Sequence, residues 1–197
     1  ITNDSMDRSE ENFFESNAEV ILMGDRQLTD NFRLGFNVGG NFMYQRSETL
    51  GVGVGNMVDK GNWMLNAANL LRTGSEDGYK RAMNSVFGSV QMAWKDLSLD
   101  LTARNDWSST LPSGNNSFFY PSANLSFVVS DFLRSIDKPL PSWVTFAKAR
   151  LSAAQVGKDT SPYQLYNTYS FKFDNGVLTP TKDNVKMNDQ LKPEIAT

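Results

Sequence analysis

The sequence predicts an all-β fold, with about six antiparallel strands forming part of a transmembrane β-barrel. Three observations lead there. Apolar and polar side chains alternate over stretches longer than soluble strands usually reach. The connections alternate between short and long. Large aromatic residues gather near both ends of the strands.

The first strand is expected near 13–25, where Phe14, Ala18, Val20 and Leu22 oppose Glu15, Asn17 and Glu19, and Ile21 and Met23 interrupt the polar face. The second, near 31–45, is the most informative. Phe32, Leu34, Phe36, Val38, Phe42 and Tyr44 point one way and Arg33, Asn37, Asn41 and Gln45 the other. A soluble strand runs about five or six residues, whereas a tilted strand crossing an outer membrane needs about nine to eleven. This segment has membrane length. The third, near 84–95, sets Val86, Val90, Met92 and Trp94 against Ser89 and Gln91. In the fourth, near 97–105, Leu97, Leu99, Leu101 and Ala103 oppose Ser98, Asp100, Thr102 and Arg104. The fifth, near 119–130, has Ala123, Leu125, Phe127 and Val129 against Asn124 and Ser126. The sixth, near 145–156, has Ala147, Ala149, Leu151 and Ala153 against Lys148, Arg150 and Ser152.

Tight turns are expected at 27–30 and 95–96, and a modest link at 130–142 with one helical turn over 131–136. Long connections, expected as extracellular loops, fall at 46–83, 106–118 and 157–191. Outer-membrane barrels have short periplasmic turns and longer extracellular loops, so the asymmetry orients the strands as well as counting them. Phe32, Trp94 and Trp143 lie by the short turns, and Tyr44, Trp107 and Tyr120 by the long loops. Such rings suit two interfacial girdles, although aromatic enrichment in strands is the plainer alternative.

Burying one large apolar side chain stabilises by about 1.5–3 kcal/mol, so five on one strand contribute on the order of ten. A soluble sandwich could collect the same energy. Strand length, loop asymmetry and the aromatics favour the barrel, in which Glu15, Glu19, Arg33, Asp100, Arg104, Lys148 and Arg150 are expected to face a wet lumen. An open sheet in lipid would leave two rows of unpaired backbone groups at several kcal/mol each, and the smallest barrels have about eight strands. The chain is therefore expected to contribute to a larger barrel. It starts at Ile1 and shows no signal peptide, which gives the further expectation that it begins partway through a longer precursor.

Composition removes much chemistry. Cysteine and histidine are both absent, which excludes thiol nucleophiles, Cys/His zinc sites and histidine-based triads within this chain. No catalytic residue, metal or cofactor is expected. A net charge of -3 with mixed signs offers no basic face for nucleic acid. No run approaches the roughly 18 apolar residues of a membrane-spanning helix. Gly51, Gly53 and Gly55 lack the spacing of a dinucleotide fingerprint and are expected in a flexible loop, and 63–71 is expected to form a short helix.

At Arg104-Asn105-Asp106-Trp107-Ser108-Ser109-Thr110-Leu111-Pro112, followed by Ser117-Phe118-Phe119-Tyr120-Pro121-Ser122, the chain resembles the SusC/RagA family of TonB-linked outer-membrane proteins. Lys148-Ala149-Arg150-Leu151-Ser152, then Val156-Gly157-Lys158-Asp159 with Pro162-Tyr163, and finally Leu191-Lys192-Pro193-Glu194 resemble it in the same order. The resemblance implies a barrel of about 22 strands in the outer membrane of a Gram-negative bacterium, of the size class of large outer-membrane transporters. It also implies an N-terminal plug, energy drawn through TonB, a SusD-like lipoprotein lid, and import of oligosaccharides or peptides. This chain would be a C-terminal part of that barrel, without plug or TonB box, and 191–197 would open a further strand.

Trp63, Tyr79, Trp107, Tyr163, Tyr166 and Tyr169 fall in the expected loops, where aromatic faces could stack on a substrate. Loop packing or docking of the lid is the alternative for each. Two other classes compete with the importer. One is a soluble β-sandwich that binds glycans or acts as an adhesin. The other is an all-β hydrolase needing convergent carboxylates such as Glu76 and Asp77.

Overall fold

The computed structural model describes residues 5–57, 61, 64–65, 68–138, 140–174, 177–182 and 184–197. Six strands form one sheet in chain order: β1 (Ser5–Thr29), β2 (Phe32–Met57), β3 (Ala68–Trp94), β4 (Leu97–Ser108), β5 (Ser117–Val128) and β6 (Lys148–Ala154). A single turn-rich link, with helix α1 (Val129–Ser135), joins β5 to β6. Two small sheets pair β7 (Val156–Lys158) with β10 (Glu194–Ala196) and β8 (Tyr169–Asp174) with β9 (Val177–Lys182). The chain divides into two compact units, Ile1–Ser16 with Met43–Ala82 and Asn17–Phe42 with Met83–Thr197.

In the second unit the antiparallel register sorts the side chains. Leu97 faces Phe127, Leu99 faces Leu125 and Leu101 faces Ala123 across β4 and β5. On β3 their partners are Trp94, Met92 and Val90, and on β6 Leu125 and Ala123 meet Leu151 and Ala153. The alternate positions form the polar rows, with Gln91, Asp100, Asn124 and Ser152 in one and Ala93, Ser98, Ser126 and Arg150 in the next. A one-residue slip would send every apolar side chain to the polar face, so the alternation fixes the parity of the register and the two-residue turn at 95–96 its alignment between β3 and β4. Close approach needs glycine at one point: a Cβ on Gly39 would stand 2.7 Å from the Phe87 ring and 2.8 Å from the Val20 carbonyl oxygen.

The apolar face of this unit is not buried. Phe36, Val38, Val86, Val90, Leu101, Leu125 and Leu151 are all exposed, although the first unit buries Val54 and Met57 and the second buries Leu111 and Phe118. A contiguous open apolar face of this extent marks a surface meant for lipid or for another protein. No helix among the described residues is long and apolar enough to cross a membrane.

In the first unit, the Gln45 amide donates to Glu15 at 2.7 Å and the Ser47 hydroxyl to Glu11 at 2.9 Å. A Cβ on Gly78 would stand 2.5 Å from the Ser47 carbonyl oxygen, which keeps that contact open to glycine alone. These strands run further than the sequence suggests. Residues 46–57 and 68–83, expected as loop, lie in β2 and β3, and β1 starts at Ser5 rather than near 13. The glycines at 51, 53 and 55 are therefore strand residues, and 68–71 of the expected short helix begin β3. The physical reasons differ: β1 before 13 and most of 72–82 in β3 are polar on both faces, so no alternation announces them, whereas in β2 Leu50, Val52 and Val54 alternate with glycines, weak strand formers that backbone pairing nevertheless carries into the sheet. β1 is exposed along nearly its whole length.

The link after β5 carries α1 over 129–135, close to the helical turn expected at 131–136, with the Phe132 ring 5.3 Å from that of Phe127. The span 157–191, expected as loop throughout, holds the β8–β9 hairpin, and the strand expected from 191–197 is β10, three residues paired to β7.

Candidate functional site

The polar rows of the second unit make a continuous hydrogen-bonded surface. Asn37 donates to Ser89 at 2.6 Å, Asn124 donates to Asp100 at 3.0 Å, and the hydroxyls of Thr102 and Ser122 are 2.6 Å apart. Near the short turns Arg33 holds Asp25 in a forked ion pair at 2.8–3.0 Å. Both partners are more than half exposed, so water screens the pair and it adds little to stability. An open concavity of about 540 Å³ is lined by Arg33, Asp100, Lys148 and Arg150 together with Asp25 and Asn124. Four of the residues expected to share a face are thus brought together.

Arg104 shares that face two rows further along β4, at the edge of a second concavity of about 470 Å³ with Phe87, Tyr120 and Gln155. Its guanidinium carbon lies 5.6 Å from the Phe87 ring centre, in range for a cation–π contact. Glu19 is exposed on β1, an even number of residues from Asp25, and Glu15 belongs to the other unit with Gln45 as its donor.

The densest polar cluster lies where β4 ends. Asp106, 4% exposed, accepts from Arg104 Nε at 2.8 Å and from the Tyr120 hydroxyl, and Arg104 Nη2 donates to Ser85 at 2.8 Å. Two residues on, the hydroxyls of Ser108 (1% exposed) and Thr110 (3%) both donate to the Asp159 carboxylate, 51 and 49 residues away in sequence. Gln155 donates its N–H to the Pro121 carbonyl at 2.9 Å. Ala154 pairs with Ser122 on the polar face, and Gly157, three residues on, also lies on that side, where the chain passes from β6 to β7. A Cβ on Gly157 would stand 2.5 Å from Phe118 and 3.1 Å from Tyr120, whose rings stack 6.0 Å apart. From the sequence, Asp106 and Ser108 are expected only as turn-forming residues at the exit of a strand, and no contact between 104–112 and Asp159 is foreseen.

The aromatic candidates are spread over separate elements. Trp107 pairs with Asn84 and Ser117 and so lies on the apolar face, opposite Asp106. Tyr79 is half-buried on β3 in the first unit. Tyr163 and Tyr166 are 63% and 70% exposed. Tyr169 shares one face of the β8–β9 hairpin with Phe171 and Pro180, while Ser170 and Thr181 bond on the other. Trp63 lies outside the described residues. Among the described residues, no group of three or more His, Cys, Asp or Glu is placed to hold a metal ion.

A family model described as TonB dependent receptor-like, beta-barrel matches residues 2–197. The chain belongs to that family. Its members are transport proteins, not enzymes. No curated protein matches the sequence. Among solved structures, this barrel chain is similar to the RagAB peptide importer in its 'closed-closed' state, with a TM-score of 0.76 and 14% identity over 96% of this chain. It is similar also to the RagAB peptide transporter (TM-score 0.76, 15% identity, 96% of this chain) and to the 'open-open' state of the importer (0.69, 16%, 97%). In each case it spans 21% of the other chain's length. These matches agree with the SusC/RagA-type resemblance read from residues 104–194.

Proposed function

We propose that this chain is a wall segment of an energy-coupled importer in the outer membrane of a Gram-negative bacterium, taking up oligosaccharides or peptides. The observation that carries the reading is the two-faced sheet of the second unit. One face is apolar and open although it would be costly to leave in water, and the other is polar, charged and hydrogen-bonded. A soluble sandwich would need a second sheet over the apolar face, and no described element covers it.

In this reading Val86, Val90, Leu101, Leu125 and Leu151 meet lipid, while Glu15, Glu19, Arg33, Asp100, Arg104, Lys148 and Arg150 face the lumen. There the charges keep the path wet and give the plug hydrogen-bonding partners. TonB engages a part of the protein outside this chain, and a SusD-like lipoprotein closes the outer mouth. Tyr79, Tyr163 and Tyr166 are the aromatic candidates for substrate contact. Trp107, on the lipid side, suits the interfacial girdle instead. Likeness to a peptide importer favours peptides over oligosaccharides as the cargo.

Uptake of labelled oligopeptides and oligosaccharides by cells with and without the gene tests the proposal. The expected result is uptake of one class that disappears on deletion and on collapsing the proton gradient with a protonophore. Uptake indifferent to both treatments would contradict it.

A further inference from the structure

We infer that Asp159 is a positioning residue for substrate capture, fastening the segment 160–193 to the end of β4 through the hydroxyls of Ser108 and Thr110. Only the transport consequence rests on the importer reading; the anchoring itself does not. The segment is long, and a free loop of this length would sample many positions. Both of its ends are held. β10 pairs to β7 in the register Glu194↔Lys158, Ile195↔Gly157 and Ala196↔Val156, which brings the ends together. Asp159 follows β7 directly, and its carboxylate takes two hydroxyl donors that are almost wholly buried.

Ser108 cannot be left without its acceptor cheaply, because its neighbours exclude water. Its oxygen also accepts the Thr110 N–H at 3.3 Å, which ties the hydroxyl to the turn after β4. Gly157, where a Cβ would stand 2.5 Å from Phe118, lets β7 lie close against that ring. The chain therefore leaves Asp159 in one direction, and Tyr163 and Tyr166 follow within seven residues. Their exposure is that of side chains presented to a ligand by a fixed base, which lowers the ordering cost that binding would otherwise meet.

The test uses the full-length protein in outer-membrane vesicles and in cells. Asp159→Asn, nearly isosteric, is expected to speed trypsin cleavage after Lys182 and Lys186 by about tenfold or more. It is also expected to raise the KM for a labelled oligopeptide by about tenfold, with maximal rate and protein level unchanged. Thr110→Val should act in the same direction, and Thr110→Ser, which keeps the hydroxyl, should behave as the unaltered protein. Unchanged cleavage and KM in Asp159→Asn would overturn the inference. So would equal damage from Thr110→Ser and Thr110→Val, since that would make the site a matter of packing. If the unaltered protein imports no probe, the importer reading fails and the cleavage result alone decides the anchor.

Discussion

Replacing Asp106 by Asn isolates the charge of the buried network without changing its shape. The carboxylate accepts from Arg104 Nε at 2.8 Å and from the Tyr120 hydroxyl while only 4% exposed. A hydrogen bond to a charged group contributes about 1.5–3 kcal/mol, roughly twice a neutral one. The two donors reach different carboxylate oxygens, so an amide loses one bond and weakens the other, and Arg104 is left without its counter-ion. The Arg104 side chain is 36% exposed, so water takes up part of that loss. The expected destabilisation is about 2–3 kcal/mol. Tyr120→Phe alone should cost about 1–2 kcal/mol, and the two together less than their sum, with a coupling of about 1 kcal/mol. Denaturant unfolding of the full-length protein in detergent, followed by heat-modifiable gel mobility, measures all three. A coupling below about 0.3 kcal/mol would refute the reasoning, because the two groups would then act independently.

Leu101→Lys on the apolar face should cost about 2–4 kcal/mol of barrel stability in lipid, while Thr102→Lys next to it should be tolerated; refolding into vesicles reads both. Gly157→Ala should destabilise by about 1–3 kcal/mol through the clash with Phe118, and Gly114→Ala, where a Cβ would meet nothing within 4 Å, should change little. Arg33→Gln should leave the unfolding midpoint unchanged, since its ion pair with Asp25 is exposed and screened; a clear loss in the same unfolding assay would show that the pair is shielded from water.

The faces of β4 and β5 were legible because Leu97, Leu99 and Leu101 alternate with Ser98, Asp100 and Thr102, and the antiparallel register had only to match like with like. Polar residues that share a face through that alternation, Arg33, Asp100, Lys148 and Arg150, were legible for the same reason. The reach of β2 was not, because the glycines between Leu50, Val52 and Val54 read as loop, nor was that of β1 and β3, whose outer stretches are polar on both faces and carry no periodic signal. The β8–β9 hairpin had one: the Tyr169, Phe171, Phe173 alternation followed by the Asn175-Gly176 dipeptide is a hairpin signature. The bonds from Ser108 and Thr110 to Asp159 join residues about fifty apart, and nothing local in either segment specifies the other. Trp107 is read two ways from the sequence, as a girdle residue and as a loop aromatic, and the register turns it to the apolar face, as the girdle needs.

The lipid assignment of the apolar face is best tested with single nitroxide labels along β4, each on one introduced cysteine with any other cysteine of the full-length protein removed. In the full-length protein reconstituted into bilayers, labels introduced through Leu99→Cys, Leu101→Cys and Ala103→Cys should collide with oxygen far more than with a water-soluble nickel chelate. Asp100→Cys, Thr102→Cys and Arg104→Cys should show the reverse. Labels at 99, 101 and 103 shielded from both reagents would mean that protein, not lipid, covers that face, and the barrel-wall account would be contradicted.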